Sequence, residues 1–119
     1  MLSIILKYDK NQLFKIITKD SIVDKNISIY KYGVYINLPI DTLGISKKTI
    51  DYLKTIEANH KDNESIHLWI FTDSTIIPNS FYADWPTKEI KSKCFAHAAK
   101  YHKEYYRYHY NLLGEFKKE

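Results

Sequence analysis

The sequence predicts an α+β fold, with helices packed against a mainly antiparallel sheet, in one domain spanning residues 1–119. Three observations predict it. Apolar runs of period two crowd the first forty residues. A segment of helical period, 46–59, separates them from another strand-like run, "SIHLWIFT". The last third carries an apolar and aromatic stripe at helical spacing.

The elements follow in order. "LSIILKY" reads as a strand, then "DKN" as a turn, then "QLFKIIT" as a second strand. "NISIYKY" and "GVYINLPI" are two further β-rich runs. In the latter, Val34, Ile36 and Leu38 alternate with Tyr35 and Asn37. The helix over 46–59 takes Ser46 as its cap, and Ile50, Leu53 and Ile56 form its apolar face. "HKDNE" is a polar loop. In the next strand, Ile66, Leu68 and Ile70 share one face, and His67, Trp69 and Phe71 the other. "DSTIIPNSFYADWP" reads as a loop with a short edge strand at Ile76–Ile77. The last element is expected to be a long helix from Pro86 to Leu113, with Pro86 in its first turn and Gly114 at its stop.

Composition narrows the function classes. Hydrophobic residues make up 45% and charged residues 27%, as in folded domains. The single Cys94 cannot pair within the chain, which points to an intracellular setting and not to a secreted disulfide scaffold. No apolar run approaches the ~20 residues of a membrane span, and the N-terminus reads as a strand, not a signal peptide. Charge is unevenly placed. Residues 1–85 hold ten Lys against ten Asp and Glu, whereas 86–119 hold seven Lys and Arg107 against four Glu. A basic excess in the last third suits a polyanionic partner or a solvated helix face.

On a helix, the aromatic-rich segment sorts into two stripes. Phe95, Ala98, Ala99, His102, Tyr105 or Tyr106, His109, Leu113 and Phe116 would face the sheet. His97, Tyr101, Glu104 and Tyr108 would run beside them, putting Glu104 and Tyr108 one turn apart at a cleft edge. Lys103 and Arg107 neighbour that edge and, with Lys100, are the candidate phosphate contacts. A tyrosine-rich helix of this kind also suits plain packing or a subunit interface. His60 reads as a solvated loop residue.

The pieces together resemble the Rep-type endonucleases of the HUH superfamily. "VYINLPI" is similar to the family's first motif, "SIHLWIF" holds the place of its metal-binding strand, and "EYYRYHY" that of its tyrosine motif, over roughly residues 33–113. The resemblance implies a Rep-like fold, a relative of the ferredoxin-like folds, that nicks and rejoins single-stranded or hairpin DNA to initiate replication of viral or plasmid DNA. Tyr108 would be the nucleophile, with Tyr101 as second choice, leaving a 5′-phosphotyrosine link and a free 3′-OH. A divalent cation, Mg²⁺ or Mn²⁺, would be held by His67 and Glu104 and would polarise the scissile phosphate. A homodimer could cleave and rejoin as a pair. The chain departs from the family at Trp69, where a second histidine would share the metal, and at Asn111, where a lysine often follows the tyrosine. Two other readings use the same residues: a nucleic-acid-binding module without catalysis, and a dimeric viral interaction protein. In the former, Tyr30, Tyr32, Tyr35 and Trp85 are stacking candidates.

Overall fold

Strand periodicity, not helical periodicity, organises most of this chain. The structure, a computed structural model, describes residues 13–23, 28–37, 44–80, 85–101 and 105–118. Its strands are β1 (Phe14–Val23), β2 (Ser28–Ile36), β3 (Glu64–Phe71), β4 (Ala96–Lys100), β5 (Tyr106–Leu112) and β6 (Glu115–Lys118), joined in one sheet in that order. Its helices are α1 (Ile45–Glu57) and the one-turn α2 (Lys88–Ser92). Neighbouring strands are antiparallel except β2 and β3, which are parallel. The α+β class and the mainly antiparallel sheet are thus as the sequence predicts.

A parallel pair needs a crossover, and α1 provides it by lying over β3, β4 and β5. Leu53 and Ile56 of α1 are buried against Val34, Ile66, Leu68, Ile70, Ala96 and Ala98, with Ile50 packed at the margin. The small alanines of β4 leave room for the helix backbone to approach. The helix begins at Ile45, behind a left-handed Gly44 (φ 73°) with no side-chain cap, so the expected cap Ser46 lies inside the first turn. On the opposite face, Phe71, Ile77, Trp85 and Cys94 form a second, smaller cluster under the segment that follows β3. Thr18 of β1 donates its hydroxyl to the Pro78 carbonyl there.

Several expectations change. "NISIYKY" and "GVYINLPI" are not two strands: one strand, β2, runs through both. Ser74–Ile76 form a 3₁₀ turn capped by the Asp73 side chain, in place of an edge strand. Above all, the long helix from Pro86 to Leu113 does not form. Thr87 caps α2, which stops at Ser92, and three strands follow. Tyrosine, as frequent in that region as lysine, favours a pleated half-buried surface over a helix. Gly114 (φ 82°) serves a hairpin between β5 and β6, not a helix stop. The predicted strand "LSIILKY" lies outside the described residues.

Two substitutions separate core from surface on α1. Leu53 is fully buried, so Leu53→Ala should cost about 2–5 kcal/mol in urea denaturation. Lys47, whose side chain is 82% exposed, should cost under about 0.5 kcal/mol as Lys47→Ala.

Candidate nucleic-acid interface

The sheet face turned away from α1 collects rings and cations because of the strand register. One row of cross-strand neighbours reads Asp20, Lys31, His67, Ala99, Arg107. The next reads Thr18, Gly33, Trp69, His97, His109, Lys118. Side chains in register on neighbouring strands share a face. Ala99, with no bulk, separates His67 from Arg107.

The rings touch in sequence. His67 Nδ1 and His97 Nε2 share a hydrogen bond of 2.8 Å, and the two imidazoles are nearly coplanar in tilt at 12°. His97 stacks on Trp69 with centroids 4.0 Å apart, and on His109 at 6.0 Å. Phe116 of β6 meets the edge of Trp69 at 6.0 Å. On the other side, Tyr101 meets His67 edge to face at 5.4 Å, and Tyr105 lies 6.0 Å beyond it. Two cations lie over this ladder: Arg107, 4.9 Å from the Tyr105 ring, and Lys91 of α2, 5.3 Å from the Trp69 ring. Lys31 is anchored, donating to the Trp85 carbonyl at 2.8 Å.

Burial and these cations keep the imidazoles neutral. His67 is pushed down to about 4, mainly by burial and then by Lys31 and Lys91. His97 falls to about 3, again mainly by burial, with His67, His109 and Lys91 adding to it. His109 is lowered by its partial burial and by Arg107 and Lys118. Neutrality also suits the His67–His97 bond, which needs one N–H and one lone pair. A proton on both rings would set donor against donor.

The expected site residues do not assemble as the helical reading required. Tyr108 lies on β5, 7% exposed, in the core beneath α1. Its row is Tyr32, Leu68, Ala98, Tyr108, the opposite face from His67. The one-turn spacing to Glu104 has no meaning on a strand, and Glu104 and Lys103 lie outside the described residues. Lys100 is fully buried, so it does not present its charge to a phosphate. Its Nζ donates to the carbonyls of Lys61, Asp62 and Glu64 at 3.2, 2.8 and 2.8 Å and lies 3.8 Å from Glu57. Of the two described phosphate candidates, Lys100 and Arg107, it is Arg107 that reaches the ring-bearing face. Tyr101, the second-choice nucleophile, is the tyrosine that meets His67.

Among the described residues, what surrounds His67 is poorly suited to a hard divalent cation, and Glu104, the other expected ligand, lies outside them. Such ions take oxygen ligands, whereas Lys31 and Lys91 are the charges bearing on this imidazole. Among the described residues, no group of three His, Cys, Asp or Glu could hold a metal ion.

Sequence reasoning missed two functions of histidine. His97, read as a helix-flank residue, is the hub of the ring ladder; the alternation of His97, Ala99 and Tyr101 was its signal. His60 is not solvated: its side chain is 7% exposed, with Nδ1 3.1 Å from Glu64 and Nε2 2.9 Å from the Tyr32 hydroxyl. That pairing, with Lys100, ties the loop after α1 to the sheet.

Among the described residues no helix is long and apolar enough to cross a membrane. No family model, curated protein or solved structure matches the chain. The resemblance to Rep-type endonucleases therefore rests on the sequence pattern alone.

The histidine pair makes stability depend on pH. Both folded-state values lie below the ordinary 6.5, so between 6.5 and about 4 the unfolded chain binds more protons than the folded one. Stability is complete above 6.5 and falls with acid through that window, by up to ~1.4 kcal/mol per pH unit for each ring. Urea midpoints from pH 7.5 to 4.5 should fall steeply for the wild type and less steeply for His97→Gln. For Lys100→Ala, loss of a buried group that satisfies three carbonyls should cost about 2–4 kcal/mol, while Arg107→Ala should change stability by under about 0.5 kcal/mol.

Proposed function

We propose that this protein binds single-stranded nucleic acid across the sheet face opposite α1. The observation that carries the reading is the unbroken ladder Tyr105, Tyr101, His67, His97, Trp69, Phe116 with cations over and beside it. Bases stack on aromatic and imidazole rings whatever their sequence, and cations track the backbone. Arg107, Lys91 and Lys118 stand where phosphates would pass, and Asp20, at the far end of its row, is the one acid paired into these two rows. The exposed Tyr105 and the partly open Tyr101, His67, Trp69 and Phe116 are the rings that bases would reach, with the buried His97 holding the ladder together beneath them. On the other face α1 covers the middle of the sheet, over Leu68, Ile70, Ala96 and Ala98.

A second reading keeps the tyrosine chemistry and moves it. Tyr101 meets His67 at 5.4 Å, on the same face as the proposed strand path. Its phenol oxygen would attack phosphorus and form a phosphotyrosine ester. The phenol proton would pass to the neutral imidazole of His67, and the departing 3′ oxygen would take a proton from that imidazolium, directly or through water, to leave as the free hydroxyl.

Fluorescence anisotropy with labelled oligo-dT and oligo-U tests the first reading. Affinity should fall with salt, with a log–log slope of about −2 for three backbone cations at ~0.7 each. Tyr105→Ala, at a 40% exposed ring, should weaken binding by about 5- to 100-fold, the range of one base stack. Absence of binding to either oligomer, or binding indifferent to salt, sinks it. A denaturing gel tests the second: an adduct should form with wild type and Tyr108→Phe and vanish with Tyr101→Phe.

A further inference from the structure

The hairpin joining β5 to β6 ends in an anomaly. Leu112 and Glu115 pair across the turn, and its two central residues, Leu113 and Gly114, both have positive φ, 57° and 82°. Two-residue hairpin turns with both φ values positive favour Asn-Gly or Asp-Gly, because a branched apolar side chain gains nothing there and strains the backbone. Leu113 is moreover 94% exposed, so packing does not hold it in place. Leu112 at 49% and Tyr110 at 37% extend the apolar tip along β5. A strained, fully exposed leucine points to a role outside the fold.

The surroundings of the tip say what it would meet. Asn111, next to Leu112, donates its side-chain N–H groups to the carbonyls of Lys91, Ser92 and Cys94, which fastens α2 beside the hairpin. Residues 88–93 and 115–118 then bring five lysines against two glutamates around an apolar point. A polyanion with an apolar interior complements that arrangement, and a stacked duplex end has both. The ring ladder is continuous with the tip: His109 and Phe116, on the ring-bearing face, belong to the same two strands. Two leucines at a hairpin point bury little area in a lipid interface, which takes a long apolar helix face or an acyl chain.

We propose that this hairpin tip is a wedge for the junction between single strand and duplex, with Leu113 entering beside the terminal base pair while the single strand lies over the ring ladder. The proposal rests on the nucleic-acid reading of that face and names its partner more closely: a tailed duplex or tailed hairpin.

The test compares a labelled single-stranded tail with the same tail joined to a hairpin stem. Wild type should bind the junction at least about fivefold more tightly, the low end of one base-stack energy. A 2-aminopurine at the last stem pair should brighten on binding as it unstacks. Leu113→Asn removes the wedge and places a residue that tolerates positive φ, so its melting temperature should rise by about 3–6 °C. In that variant the junction-to-tail affinity ratio should fall to near one and the 2-aminopurine signal should vanish.

If wild type binds the tail without preferring the junction, or Leu113→Asn keeps the preference, the wedge is overturned and the binding reading stands. If neither DNA binds, both fall. A melting temperature lowered by Leu113→Asn overturns the strain on which the wedge depends. Sedimentation with phosphatidylserine vesicles covers the lipid alternative: vesicle binding abolished by Leu113→Asn, with DNA binding unmoved, overturns the wedge in favour of a membrane surface.

Discussion

The parallel pairing of β2 with β3 is the constraint on which the molecule depends. Two parallel neighbours cannot be joined by a tight turn, so the chain must cross a face of the sheet between them. That crossover, α1, closes one face with Leu53 and Ile56 over Leu68, Ile70 and Ala98. Every other connection among β3 to β6 returns antiparallel. The second face is therefore left to α2 and the segment after β3, which pack over Phe71 and Trp85 but leave the rings nearer β5 partly open. The asymmetry between a closed apolar face and a partly open aromatic one follows from a single strand direction.

Parity along each strand then assigns every side chain its chemistry. Lys100 and Arg107 belong to adjacent strands and lie close in space, but they sit one step apart in register, Lys100 opposite Tyr106 and Arg107 opposite Ala99. Lys100 consequently falls on the helix side and is spent on loop carbonyls, while Arg107 falls on the ring side. The same rule separates Tyr108 from His67 and brings Tyr101 to it. A one-residue shift in β4 or β5 would exchange these roles wholesale.

Much of this was legible in the sequence. The alternation of Ile66, Leu68 and Ile70 with His67, Trp69 and Phe71 located both faces of β3, and the apolar spacing of Ile50, Leu53 and Ile56 located α1. The last third was not legible, for a physical reason. Tyr, His and Ala between 95 and 110 satisfy a 3.6-residue stripe and a two-residue alternation almost equally, since twelve of the sixteen positions are Phe, Tyr, His or Ala. Propensity cannot break that tie for alanine, and only pairing partners can. β4 has them on both sides, in β3 and β5, and all five of its residues are buried. Its backbone hydrogen bonds are therefore satisfied by the sheet, which is why tertiary pairing prevails over the helical pattern. Gly114 shared the ambiguity: it suits a helix stop and a hairpin turn alike, and Leu113 before it, at positive φ, is the detail that no propensity would choose.

The histidines explain how such a surface keeps its character at neutral pH. His97 neighbours both His67 and His109, and these imidazoles would repel if charged, with Lys31, Lys91, Arg107 and Lys118 adding to the repulsion. Burial resolves the conflict by holding His67 and His97 neutral, which frees them to share a hydrogen bond while His97 stacks on Trp69. The result is a row of flat uncharged rings with permanent cations above and beside it: Lys31 is in register with His67, Lys91 lies over Trp69, Arg107 over Tyr105, and Lys118 ends the row of His97 and His109. Rings and fixed cations can share so small an area because burial excludes the protons that would add further positive charge to it.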